Sequence, residues 1–294
     1  MLVLIVSFFA GQLLGGIPLI GIIILKGVQN GGNFTPPENS VDLSAYGIDP
    51  NFGLALMVLP FIAMLVIGAL LVWSFHKRSL KDVLNGGRNI RWERLISGFV
   101  LWVVIMAIYL IIDVKLNPDN FDVRFNLSKI IPLVIVAVVF IPFQAGTEEY
   151  FFRGYLAQGV AALTKQRWLT IVIPAIFFGL LHLFNPEVKE YGFWLAMPQY
   201  ILFGIFFGLV SVLDDGIEMA IGAHAGNNIF SAIFVTTKAS ALQTPALLFQ
   251  HEVLPLKELI FLVLASILFT TLMSKKYKWN FQILFKKIKS SKED

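Results

Sequence analysis

Along the chain, long apolar runs alternate with short polar connections. Eight of these runs, mostly about 17 to 25 residues each, are long enough to cross a hydrocarbon core of roughly 30 Å as helices. They extend from Leu2 to Leu25, Phe52 to Phe75, Leu95 to Ile112, Ile130 to about Thr164, Trp168 to Phe184, Phe193 to Leu213, Ile217 to Val235 and Leu256 to Met273. The fourth run is longer than a span and contains Pro142 and three charged residues, which predicts either one long kinked helix or a span joined to a shorter helix. The expected fold is an all-α polytopic membrane protein, a bundle of about eight transmembrane helices. Residues 1–274 form a single transmembrane domain on this reading, followed by a basic tail over 275–294, and no internal repeat divides the chain.

Composition places the chain in the membrane class: 57% of its 294 residues are hydrophobic, 14% are charged, and the mean hydropathy is +0.76. The absence of cysteine excludes a disulfide, a thiolate zinc site, a cysteine nucleophile and cysteine lipidation. The net charge of +4 carries little information about nucleic acid, and none is expected as a partner. Residues 1–25 lack a basic leader and an A-x-A-like cleavage site, so they are expected to be the first span and not a signal peptide.

The basic residues instead predict orientation. Lys77, Arg78, Lys81, Arg88, Arg91 and Arg94 lie between the second and third spans, and Lys275, Lys276, Lys278, Lys286, Lys287, Lys289 and Lys292 follow the eighth. Both clusters read as cytoplasmic, which eight spans permit. The expectation is an integral membrane protein with both termini in the cytoplasm, in the plasma membrane of a bacterium. The acidic, Pro/Gly/Asn-rich loop GGNFTPPENS would lie outside, and the tail KKYKWNFQILFKKIK has the amphipathic character of a segment lying on anionic lipid.

An ionisable side chain at membrane depth costs several kcal/mol, so each one needs a partner or a task. Three segments carry such groups: Glu148, Glu149 and Arg153 in the fourth, His182 in the fifth, and His224 with Asn227 and Asn228 in the seventh. Glu149 and Arg153 are four residues apart and stack on one helical face, whereas Glu148 points about 100° away and lacks that counter-charge. His224 and Asn228, and likewise Phe178 and His182, repeat the four-residue spacing. Small-residue pairs at the same spacing, Gly222 with Gly226, Gly204 with Gly208, and Ala175 with Gly179, would let helices approach closely. Taken singly, the ion pair reads equally well as a structural contact, His182 reads more readily as a satisfied core histidine, and His224 with Asn228 as an interhelical hydrogen-bond contact. Their combination on three helices is what points to a site. Asp214, Asp215 and Glu218 read as a solvated loop, and His76 and His251 are assigned no role.

Glu148-Glu149-x-x-x-Arg153, Phe178-x-x-x-His182 and His224-x-x-x-Asn228, in that order, resemble the signature of the CAAX protease and bacteriocin-processing (CPBP, or Abi) family of intramembrane endopeptidases, which includes the type II CAAX prenyl protease. The resemblance implies a catalytic core over about 125–240. It further implies peptide-bond hydrolysis in a cavity between helices, with Glu148 and His182 activating water and His224 with Asn228 stabilising the oxyanion. Glu149, Arg153 and Phe178 would support them. The implied substrate is a membrane-associated peptide or protein, such as a prenylated CAAX tail or a pheromone or bacteriocin precursor.

No cofactor is favoured, although Glu148, His182 and His224 could together hold a zinc ion with an open position for water. Two other readings of the same polar residues are a proton-coupled transporter and a catalytically silent scaffold or regulator. One geometric difficulty accompanies the site: between simple rods, Glu148 would lie toward the cytoplasmic end of its span and His182 toward the outer end of the next. Bends at Pro142 and near Pro174 would reconcile them.

Overall fold

The structure, a computed structural model, describes residues 2–29 and 41–288. Every predicted apolar run is a helix. They are α1 (Leu2–Gln29), α2 (Pro50–His76), α4 (Trp92–Leu116), α5 (Leu127–Glu149) continued by α6 (Ala157–Thr164), α7 (Arg167–Leu181), α9 (Phe193–Leu213), α10 (Glu218–Phe234) and α11 (Pro255–Tyr277). Two short helices, α3 (Leu80–Asn85) and α8 (Pro186–Tyr191), sit in connections. Among the described residues, six helical segments are long and apolar enough to cross a membrane. The two that fall short are α7, at 15 residues, and α10, at 17. Both Gly222 and Gly226 press α10 against α4, so that most of its surface meets protein.

Close helix approach follows the small residues, as packing within lipid requires. Gly11 and Gly15 of α1 face Met64 and Pro60 of α2, where an added Cβ would lie 2.6 and 2.4 Å, respectively, from the opposing Cα. Gly204 of α9 faces Ala175 of α7, with a virtual Cβ 2.7 Å from the Ala175 Cα. A Gly204→Val variant is therefore expected to force α7 and α9 apart and cost about 1–3 kcal/mol, read as a lowered unfolding temperature in detergent. The main core cluster centres on Trp102, Phe206, Phe207, Met219 and Phe269.

At the end of the bundle opposite the basic connections lies a small sheet absent from the sequence reading. Its strands, β1 (Phe121–Val123), β2 (Val235–Thr237) and β3 (Leu248–Gln250), have the order β1-β3-β2. β1 pairs with β3 antiparallel, Phe121 opposite Gln250, and β2 pairs with β3 in parallel, Val235 opposite Leu248. Three-residue strands leave no alternation to detect in the sequence.

The connection after α9 also differs from expectation. Asp214 and Glu218 are buried, not solvated. Arg91 pairs with Glu218 at 2.5 Å and with Asp214 at 3.2 Å, Arg94 pairs with Asp214 at 2.9 Å, and Asn85 donates to Glu218 at 2.5 Å. Burial raises the Asp214 carboxyl above its ordinary range, opposed by the Trp279 hydrogen bond and the two arginines. Only Asp215 remains exposed, in a pair with Arg88. Part of the basic connection thus serves as an internal counter-charge. The tail is likewise held by protein as far as it is described: Trp279 reaches Asp214, Arg167 donates to the carbonyls of Lys286 and Lys287, and Tyr277 lies under the Arg94 guanidinium at 3.3 Å. Phe285 stays exposed, leaving an apolar surface available to lipid. The predicted outer loop GGNFTPPENS falls outside the described residues.

Candidate active site

The fourth segment is helical from Leu127 to Thr164 and changes winding at Tyr150–Leu156, which is π-helical. Pro142 and Pro174 lie within α5 and α7, so the irregularity follows the two glutamates instead of occurring at a proline. After Thr164 the chain turns at Lys165, in left-handed backbone, and α7 returns alongside α6 and the π-helical turn. Lys165 is equidistant in sequence from Glu148 and His182. In an antiparallel hairpin, residues equidistant from the turn stand at similar height. The expected mismatch in depth therefore disappears: Glu148 and His182 line one cavity, together with His224 and Asn228.

That cavity has a volume of about 600 Å³, within the range of small-molecule and peptide sites. At its base, Arg153 donates to Glu149 at 2.8 Å as the spacing predicted, and its second amino group reaches the Gly204 carbonyl at 3.2 Å. The pair is sealed, with side-chain exposures of 1% and 0%. Glu149 Oε1 also accepts from His224 Nδ1 at 2.8 Å. His224 Nε2 then faces Glu148 Oε2 at 3.6 Å. One imidazole is thus hydrogen-bonded to Glu149 and stands close to Glu148 without a hydrogen bond to it.

A second line of contacts ends on the other oxygen of Glu148. Trp102 Nε1 donates to Asn227 Oδ1 (3.2 Å), Asn227 Nδ2 to Asn228 Oδ1 (3.0 Å), Asn228 Nδ2 to Gln144 Oε1 (2.9 Å), and Gln144 Nε2 to Glu148 Oε1 (2.8 Å). An indole can only donate and an ionised carboxylate can only accept, so the two ends fix the direction of every amide between them. The sequence reading named Asn228 and noted Asn227, but missed Gln144 and Trp102. Gln144 had a detectable signal, since it lies four residues before Glu148 on the same face.

Phe178 is the shared wall. Its ring centroid lies 4.6 Å from that of His182, 6.0 Å from that of His224 and 5.4 Å from that of Phe152, and the Arg153 guanidinium lies 4.4 Å from it. His182 caps α7 and directs Nδ1 at the Phe178 carbonyl, 2.7 Å away. A carbonyl accepts only, so Nδ1 carries a proton, and the neutral form of the ring has a bare Nε2. Tyr200 also stacks on His182, at 4.4 Å, its hydroxyl accepting from Asn185 and donating to Glu187. Glu187 in turn accepts from the Ala241 backbone amide at 2.7 Å. Burial pushes the Glu187 carboxyl above its ordinary range, against hydrogen bonds that favour the anion. Nothing in the sequence distinguished Tyr200 from other aromatic residues.

Glu148, His182 and His224, the zinc ligand set considered from sequence, all line the cavity. Among the described residues, no group of three or more His, Asp or Glu side chains is placed to hold a metal ion. Nδ1 of His224 is held by Glu149 and Nδ1 of His182 by the Phe178 carbonyl, which leaves Nε2 of each ring available. Buried atoms without a hydrogen-bond partner in the site are Glu148 Oε2, Glu149 Oε2 and Arg153 Nε. Only Glu148 Oε2 belongs to a residue lining the cavity.

Residues 128–230 match a family model described as type II CAAX prenyl endopeptidase Rce1-like. A Bacillus subtilis (strain 168) protein described as "Uncharacterized protein YyaK" is 32% identical over 195 residues, which cover 66% of this chain. The chain spans 65% of the length of that relative. No solved structure matches the chain. Every polar side chain of the site except Trp102 falls within the segment that is similar to the Rce1-like type II CAAX prenyl endopeptidases.

Proposed function

We propose that the protein is an intramembrane endopeptidase that hydrolyses a peptide bond in a membrane-associated peptide or protein. The observation that carries this reading is the directed line of donors from Trp102 to Glu148, which ends beside an unpartnered carboxylate oxygen in a cavity shared with His182 and His224. A structural ion pair needs no such cavity.

In this mechanism Glu148 is the general base and His182 Nε2 holds the attacking water. Glu148 takes one proton from the water as its oxygen bonds to the scissile carbonyl carbon, and passes that proton to the leaving nitrogen as the C–N bond breaks. The negative charge that develops on the carbonyl oxygen is met by Asn228 and by His224, which donates from Nε2 when both its nitrogens are protonated. Glu149 holds His224 at Nδ1 and is itself held by Arg153. The catalytic core is the segment of about 125–240, and no step passes through a metal.

The orientation that accompanies this reading puts both termini and the basic connections in the cytoplasm, in a bacterial plasma membrane, with 275–294 as the basic tail. The test is cleavage of a peptide library by the purified protein in detergent, comparing the parent with Glu148→Ala and His182→Ala. Cleavage that persists in both variants overturns the mechanism. Asn228→Ala is expected to retain Glu148 function but to lower kcat by about 10²–10³-fold, the size of effect seen when one oxyanion donor is removed. An unchanged kcat would remove Asn228 from the oxyanion site.

A further inference from the structure

We propose that the cavity is entered from the face opposite the basic connections, so that the substrate is a peptide segment presented on the outer side of the membrane. The inference rests on the peptidase reading for the word substrate, and on geometry and charge for the side of entry.

The lining of the cavity is strongly polarised. From the level of Glu148 it extends to Glu187 and Tyr191 of α8, Ala241 in the β2–β3 connection, Gln250 of β3, and Val253 and Pro255 before and at the start of α11. All of these lie at the end of the bundle that carries the small sheet. Among the described residues, none that lines it comes from α3, the α6–α7 turn, the α9–α10 connection or the tail.

The opposite end is closed by protein. There the buried Asp214 and Glu218 are gripped by Arg91 and Arg94, Ile217 donates its backbone amide to the Leu84 carbonyl, and the tail residue Trp279 covers Asp214. Opening that end would separate several buried charges from their partners, at a cost of several kcal/mol for each.

Charge then identifies the sides. The closed end carries the dense basic clusters Lys77–Arg94 and Lys275–Lys287 with Lys165 and Arg167, whereas the basic residues of the open end, among them Lys115, Arg124, Lys129, Lys189, Lys238 and Lys257, are fewer and scattered, and Lys257 is paired with Asp113 at 2.5 Å. Short connections rich in lysine and arginine stay in the cytoplasm, so the open end faces outward. Exposed aromatic residues stand at that end, with Phe184 92% and Trp194 84% exposed, beside the exposed cavity-lining Leu181. This is the distribution expected of a belt at the membrane–water boundary. A membrane-tethered peptide would reach the cavity along it. Whatever step brings that peptide across the membrane must come before cleavage.

The chain has no native cysteine, which makes the side of entry directly measurable. Single cysteines are placed at Val253, on the partly exposed rim, at Asp119, exposed at the same end, and at Lys275, exposed on the basic face. Intact cells are treated with a membrane-impermeant maleimide. Val253→Cys and Asp119→Cys are expected to react before permeabilisation and Lys275→Cys only after it; the reverse pattern overturns the proposal. In right-side-out vesicles, a bulky maleimide on Val253→Cys should abolish most cleavage of an outward-facing peptide, while labelled Asp119→Cys retains it. Full cleavage by labelled Val253→Cys would refute the entry route. Absence of cleavage in every sample, including the unlabelled parent, counts against the peptidase reading alone, because the labelling pattern decides the side by itself.

Discussion

Glu148→Gln is expected to lower cleavage by about 10²–10⁴-fold while leaving the fold intact, because it removes the proton-accepting group and little else. The glutamine carbonyl can still accept from Gln144 Nε2, so the line of donors from Trp102 survives. The substitution removes one negative charge from a site whose other carboxylate, Glu149, keeps its own partners in Arg153 and His224. The unfolding temperature in detergent should therefore move little. Residual activity would report the contribution of Asn228, His224 and substrate positioning without the base. The same preparation distinguishes the metal-dependent alternative. Parent activity is expected to survive a strong chelator, and loss that zinc restores would overturn the metal-free mechanism.

Glu149→Ala is expected to produce the largest loss of stability of any single change in the site, about 3–5 kcal/mol. The reason is what remains behind. The Arg153 guanidinium, with a side chain only 1% exposed, would lose its counter-ion, and His224 Nδ1 would lose its acceptor. Arg153 would keep only the Gly204 carbonyl and the face of Phe178. Replacing both partners, as in a Glu149→Met/Arg153→Met variant, should recover much of the stability, because neither charge is then left stranded. Activity should not return, since His224 still lacks the carboxylate that orients it. The prediction is checked by thermal unfolding of the three proteins alongside their cleavage rates. Parent-like stability in Glu149→Ala, or cleavage by the double variant, would contradict this account of the pair.

Several parts of the site were legible because they depend on local geometry. A four-residue spacing on a helix places Glu149 beside Arg153 and Phe178 beside His182 in any tertiary setting, and both contacts are present. The depth conflict between Glu148 and His182 arose from measuring both against bilayer edges. Measured from the turn at Lys165, the two residues are level, and that hairpin can be counted in the sequence once α6 is known to continue the fourth span. Gln144 is a neutral amide outside the three motifs that hold the charges and histidines, and its tie to Asn228 joins two different helices. Asp214 and Glu218 were read as solvated because a carboxylate in a connection is normally wet; their burial depends on arginines more than a hundred residues away.

The sequence by itself determined the helices, their apolar membrane-spanning character and the residue types that reach membrane depth, since hydrophobic run length and helical period are properties of neighbouring residues. Packing between helices set the rest: His224 is held by Glu149 beside Glu148, Trp102 starts a line of donors ending on Glu148, Tyr200 stacks on His182, and one end of the cavity is closed. Each of those contacts joins different helices, and their rotation and depth are set by close approaches such as Gly204 on Ala175, where an added Cβ would lie 2.7 Å from the opposing backbone. No spacing along a single helix contains that information.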